Sequence, residues 1–173
     1  MRRSSKRLES NKGLKSTKPL QARAKLSTKA SLRTAKGSGK KQKKPTVSKL
    51  KKKADTLWSR ATRYRFMEND GSIVCVTCGA VKDFKSIQCG HFMSRRFNET
   101  RFSEENTAPQ CYQCNVTFQG EQFKFAQFID GFYGEGTAER LQEEARRPHQ
   151  FTIKELEDII NDCKEQIAFY EKV

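Results

Sequence analysis

The sequence predicts an α+β fold with a disordered basic arm in front of it. Three observations lead there. Charge is divided: residues 1–53 hold 20 Lys/Arg against one acid, Glu9, whereas residues 54–173 hold 15 against 19. Two Cys-x-x-Cys pairs, Cys75/Cys78 and Cys111/Cys114, bracket short strand-like stretches. Helical apolar periodicity flanks that region, from Val47 on one side and from Thr152 on the other.

The arm, residues 1–50, has almost no aromatic or large apolar side chains. It cannot bury enough surface to offset the entropy of ordering it. Its Ser/Thr-Lys runs, "KSTKP", "LSTKA" and "SLRTAKGSGKKQKKP", are irregular and read as low complexity. With their +19 balance, residues 1–53 are expected to seek DNA or RNA phosphates without sequence preference. A transit peptide, a nuclear signal in "KKQKKP" and a solubilising arm compete with that reading. No apolar run reaches the length of a signal-peptide core or membrane span, so a soluble, intracellular protein without a membrane partner is expected.

The elements follow in order. Val47–Glu68 reads as a helix, with Leu57, Trp58, Ala61, Tyr64 and Met67 at three- and four-residue spacing, and Asn69-Asp70-Gly71 breaks it. "SIVCVTCGAV" reads as a hairpin with Cys75 and Cys78 at its turn. Ser86–Phe92 reads as a second strand, and a polar loop runs on to Asn106. After Cys114 a helix is expected to about Ile129, with Phe118, Phe123, Ala126, Phe128 and Ile129 as its apolar positions, ended by "GFYGEG". The last helix opens on a capping box, Thr152-x-x-Glu155, and carries an apolar stripe through Leu156, Ile160, Cys163 and Ile167. Cys163 on that stripe reads as a small buried hydrophobe. The stripe is core, with pairing to a second copy as the alternative.

Six cysteines in a chain read as intracellular argue for metal rather than disulfides. Two Cys-x-x-Cys knuckles give the four thiolates of a structural zinc; an iron–sulfur cluster is the weaker alternative. The 32 positions between Cys78 and Cys111 exceed the roughly 15–20 of a simple zinc ribbon. That insert contains "QCGHFMSRR" with His91, then "RFSEENTAPQC" with Asn106. Asn115 follows the second knuckle directly. His149, in "RRPHQF", reads as a surface or capping residue.

The order Cys-x-x-Cys, His, Asn, Cys-x-x-Cys, Asn resembles the ββα-metal or HNH nuclease motif. "CVTCG", "CGHF" and "QCYQCN" resemble the phage lambda NinG (Rap) recombination-nuclease family, and "CYQCN" running into a helix also resembles phage recombination endonuclease VII. The resemblance spans about residues 51–134. It implies a zinc-clamped HNH-like module between the arm and a helical extension, residues 135–173. It implies that Asn115 gives an oxygen to a catalytic divalent cation, Mg²⁺ or Mn²⁺, and that His91 is the general base. Asn106 then fixes the loop that aims His91. Where many such sites carry Asp before the histidine, this chain has Gly90. His91 is therefore a second candidate ligand, and Glu99, Glu104 and Glu105 are candidate acids.

Arg95, Arg96 and Arg101 lie in the same loop and are candidates to grip flanking phosphates; a solvated loop is the bland alternative. The function implied is a metal-dependent endonuclease acting on branched DNA of recombination or replication in a phage or prophage, located in the host cytoplasm. Cutting both strands of a symmetrical junction suits a homodimer. The rival is a non-catalytic zinc module that binds nucleic acid.

Overall fold

Thr46 starts the first helix by accepting the Lys49 N–H through its hydroxyl at 3.4 Å, which gives one of the otherwise unpaired first-turn donors a partner. The computed structural model describes residues 45–172, so the arm as far as residue 44 lies outside them. Helix α1 is Val47–Arg65, followed by strands β1 (Ser72–Val74), β2 (Val81–Asp83), β3 (Ile87–His91) and β4 (Thr107–Cys111). A π-helical turn, Gln113–Thr117, leads to α2 (Gln122–Tyr133), α3 (Thr137–Ala145) and α4 (Ile153–Tyr170). Helices with two small antiparallel sheets make the described part α+β, as expected.

β1 and β2 form the expected hairpin, Val74 opposite Val81, with the first cysteine knuckle as its turn. The Cys75 N–H reaches the Ala80 carbonyl at 2.9 Å and the Gly79 N–H reaches the Cys75 carbonyl at 2.9 Å. Gly79 sits at φ 73°, a left-handed conformation that closes the knuckle and that glycine adopts without steric cost. β3 pairs with β4 so that Ile87 faces Cys111 and His91 faces Thr107.

β4 is not among the elements the residue pattern predicts, and its Pro109 lacks a ladder donor. It survives because β4 pairs with β3 alone, while the Pro109 carbonyl accepts the Val76 N–H at 3.0 Å. The helix expected after Cys114 is also interrupted. Gln119, Gly120 and Glu121 have φ of 52°, 93° and 49°, and α2 starts afresh beyond them. The restart rotates the buried face onto Phe125 and Ile129, leaving Phe118 and Phe123 exposed where the sequence suggested apolar positions. Helix α3 falls within the expected helical extension, where the residue pattern sets it no bounds of its own, and begins where the Asp130 carboxylate accepts the Ala138 N–H at 2.8 Å.

Four apolar groups hold this frame together. Phe92, Ala108, Phe125, Ile129, Ala138 and Leu141 pack α2 and α3 against the β3–β4 sheet. Ile73 and Ile87 surround the cysteines. Leu50 packs with Leu156 and Ile160, and Ala61 with Cys163 and Ile167, so α1 and α4 run in the same direction. Each fully buried Leu or Ile there contributes about 1.5–3 kcal/mol. Thr152 and Glu155 form the expected capping box of α4, at 3.2 and 2.6 Å. Among the described residues no helix is long and apolar enough to cross a membrane.

Candidate metal centre and adjoining cleft

The two knuckles converge. The sulfurs of Cys75, Cys78, Cys111 and Cys114 all lie within 4.8 Å of one another, and Cys78 Sγ is 3.8 Å from Cys111 Sγ. Tetrahedral zinc with bonds of about 2.3 Å separates its sulfurs by about 3.8 Å. The donor set therefore fits zinc in chemistry and in spacing. The Cys111 N–H donates to Cys75 Sγ at 3.2 Å, and the Thr77 hydroxyl lies 3.3 Å from the same sulfur.

Burial pushes the Cys75 thiol up, but those hydrogen bonds, with the Thr77 and Cys78 N–H groups, outweigh it and bring it down to about 6. Cys114 is pushed up to about 12, by burial first and then by the Cys78 and Cys111 thiols. Four sulfurs this close need a cation to lose all their protons together. This is the only group of three or more Cys, His, Asp or Glu with ligating atoms in reach of one another among the described residues.

Beside it an open cleft of about 590 Å³ collects several of the sequence candidates. His91 enters from the end of β3, Asn115 from the π-helical turn, and Arg95 from the loop after β3. The opposite wall is a polar face of α1, Asp55, Trp58, Ser59 and Arg63. Of these four only Trp58 belongs to the apolar periodicity of that helix, and the spacing of three, four and eight residues from Asp55 marks them as one face.

Asn106 is fully buried beneath the cleft loop. Its Oδ1 accepts the Met93 N–H at 2.6 Å, and its Nδ2 donates to the Met93 and Thr100 carbonyls at 3.0 and 2.8 Å. One side chain thus ties both ends of the 93–100 segment next to His91. Thr107, opposite His91, accepts the Trp58 indole N–H at 3.1 Å and fixes α1 over the sheet. Burial pushes the His91 ring down to about 4, the Arg95 charge adds to that, and a hydrogen bond with the Arg101 backbone opposes it. The imidazole is uncharged near neutral pH.

Asn115 Nδ2 donates to Gln88 Oε1 at 2.8 Å, which holds the asparagine amide in one orientation. Nothing in the residue order singles out Gln88. Gly90 is equally explained only in three dimensions. A Cβ there would overlap the Gln110 amide oxygen and lie 2.7 and 2.9 Å from Gln110 Cδ and Cγ. Gln110, fully buried, donates through Nε2 to the Gly120 carbonyl at 2.8 Å and so anchors the left-handed loop. An aspartate at position 90 would require the Gln110 side chain to leave its place.

The arginines separate. Arg95 lines the cleft. Arg101 is held by both Asp55 carboxylate oxygens, at 2.9 and 2.6 Å, and also donates to the Arg95 carbonyl. Arg96 is exposed over the Phe97 ring, outside the cleft lining. The three candidate acids are engaged elsewhere: Glu104 with Arg65, Glu105 with Arg140 at 2.6 Å, and Glu99 with His149 at 2.8 Å. His149, as a tether, also accepts the Asn98 amide through its carbonyl at 2.8 Å.

These features define a small α+β protein with a Cys₄ centre suited to a structural metal and a polar cleft beside it. The chain belongs to the NinG family: the family model described as Bacteriophage Lambda NinG protein matches residues 2–172. That match extends over the arm and α4, well beyond the span of about 51–134 over which the motifs alone suggested it. No curated protein and no solved structure shows a significant match to the chain.

Proposed function

We propose that this chain is a metal-dependent DNA endonuclease whose active site is the cleft between α1 and the β3–β4 sheet. The observation that carries the reading is the convergence of His91 and Asn115 in one open cleft, with three cationic side chains, Arg63, Lys85 and Arg95, around it. β3, β4 and the helical segment that follows form the ββα arrangement of HNH-like nucleases on this reading. The Cys₄ zinc clamps its two ends.

The Asn115 amide oxygen and the His91 ring can offer two donors to a hard cation, leaving its other positions to water and phosphate. Such a cation, Mg²⁺ or Mn²⁺, would stabilise charge on the phosphate and the leaving 3′ oxygen. No acid adds to that pair: Asp55, the one carboxylate lining the cleft, is neutralised by Arg101. Cation affinity should therefore depend on DNA being present. If His91 acts as base instead, its uncharged imidazole accepts the proton of the attacking water. A phosphate in the cleft offsets the Arg95 charge and raises the ring's proton affinity towards a useful value.

Family membership supports a role in phage recombination; branched DNA as substrate, a homodimer as the form that cuts both strands of a symmetrical junction and the host cytoplasm as location complete the proposal. The basic arm, residues 1–50, supplies non-specific DNA affinity beside a module at 51–134 and an extension at 135–173. Incubating the purified chain with plasmid and four-way-junction DNA, with and without Mg²⁺ or Mn²⁺, tests the activity. DNA binding without cleavage under all cations would leave the non-catalytic zinc module as the function.

A further inference from the structure

Large apolar side chains left in water are unevenly distributed. Tyr112 is 61 % exposed, Val116 47 %, Phe118 50 % and Phe123 76 %. All four lie on the short stretch that carries the π-helical turn, the left-handed loop and the first turn of α2. Phe132 and Phe169, exposed elsewhere, at least contact Phe128 and Tyr170, with ring centroids 5.4 and 5.5 Å apart. Phe118 and Phe123 have no ring partner among the described residues. Exposed apolar groups concentrated in one place mark an interaction surface.

Their position narrows what that surface meets. Gln119, Gly120 and Gln122, neighbours of the two phenylalanines in the chain, line the cleft, so Phe118 and Phe123 belong to the segment that forms one of its walls without lining it themselves. The loop between them is held rather than loose. The Gly120 N–H donates to the Cys114 carbonyl at 2.8 Å, the Gly120 carbonyl accepts Gln110 Nε2 at 2.8 Å, and the Glu121 N–H reaches the Phe118 carbonyl at 3.1 Å. Two non-glycine residues, Gln119 and Glu121, are kept left-handed to achieve it. Across the cleft, Arg63, Lys85 and Arg95 have no carboxylate partner among the described residues, and Arg101 occupies Asp55.

Two exposed apolar rings carried on a held backbone segment that also walls an uncompensated cationic cleft suit a polyanion that also presents flat apolar faces. Nucleic acid does so where a base is unpaired; in continuous duplex both faces of each base are covered by stacking. A second copy of the chain suits the place less well, since the same cations would face each other across it. We propose that Phe118 and Phe123 form a stacking platform for unpaired nucleobases of a DNA strand whose phosphates enter the cleft. The proposal rests on the cleft being a DNA site, and it gives that site a preference for unpaired DNA.

The test compares the zinc-loaded full chain with a Phe118→Ala/Phe123→Ala double variant and a Phe118→Trp/Phe123→Trp variant. Binding is measured without added Mg²⁺ or Mn²⁺, on a hairpin duplex and on the same hairpin with a single-stranded overhang containing 2-aminopurine. The alanine variant should lose at least about tenfold in affinity for the overhang, together with the change in 2-aminopurine fluorescence. Its affinity for the duplex should stay within about twofold, and the tryptophan variant should keep both properties. Equal losses on the two DNAs, or no loss on either, would overturn the platform. So would unchanged binding with a smaller oligomer in light scattering, which would make the patch a self-association surface. Because binding is read without cleavage, a chain that never cuts DNA still answers the question. A chain that cuts while the affinity ratio is unchanged loses only the platform.

Discussion

Gln88 gives the cleft its most specific expectation. It accepts the Asn115 amide and touches no other part of the proposed chemistry. Gln88→Ala should lower cleavage by about 10–100-fold, the usual cost of removing a group that orients a metal ligand. Zinc content and DNA affinity should not change, and raised Mn²⁺ should restore part of the loss; a fall in kcat that Mn²⁺ leaves untouched would remove Gln88 from a positioning role. His91 supplies a second expectation at this scale. Its ring titrates at about 4 in the fold against about 6.5 in an unfolded chain. Between those values the unfolded state binds the proton and the folded state does not, so stability falls as pH drops from about 6.5 to 4. Each pH unit costs at most about 1.4 kcal/mol for one proton. His91→Asn should therefore flatten the acid limb of a denaturation series relative to the unaltered chain. Parallel slopes for the two proteins would contradict the half-buried, uncharged ring. Because acid also releases zinc from thiolates, the difference between the two slopes carries the result.

At the scale of elements, β3 and β4 show how one sequence choice depends on another. Gly90→Ala places a methyl group against the Gln110 amide, and overpacking of this kind costs about 1–3 kcal/mol. Gln110→Ala loosens the 119–121 loop but opens that space. The double variant should then be more stable than the sum of the single losses, and strict additivity in urea unfolding would mean that the two side chains do not meet. Much of this level was legible in the sequence. α1, the knuckle hairpin, β3 and the capping box of α4 all follow from local signals. β4, the break after Thr117 and the bounds of α3 do not. Pro109 looks like a strand breaker until β4 proves to have a single partner, and the left-handed Gln119 and Glu121 carry no mark in their residue types. Likewise the four cysteines were legible because their spacing is a chemical signature. Gln88, Arg63 and Lys85 were not, because only the fold brings them beside Asn115.

For the whole molecule, the Cys₄ centre joins the two hairpin ends, and small domains of this kind draw folding energy from the metal. One zinc per chain is expected, and Ser at any of Cys75, Cys78, Cys111 or Cys114 should unfold or aggregate the protein, whereas Cys89→Ser should not. A stable fold after chelation would contradict the clamp. Deleting residues 1–45 should leave the zinc-bound remainder folded but weaken DNA binding. Every phosphate that the arm no longer neutralises should flatten the log–log salt slope by nearly one unit. An unchanged slope would mean that the arm is not the electrostatic anchor. The central claim, that the cleft cuts DNA, is tested most directly by single-turnover cleavage with the unaltered chain, His91→Ala and Asn115→Ala. The expected result is cation-dependent cutting by the unaltered chain and a loss of at least about 100-fold in each variant, with zinc and DNA binding intact. Cutting by both variants at the unaltered rate, or none by the unaltered chain in Mg²⁺ or Mn²⁺, would contradict it.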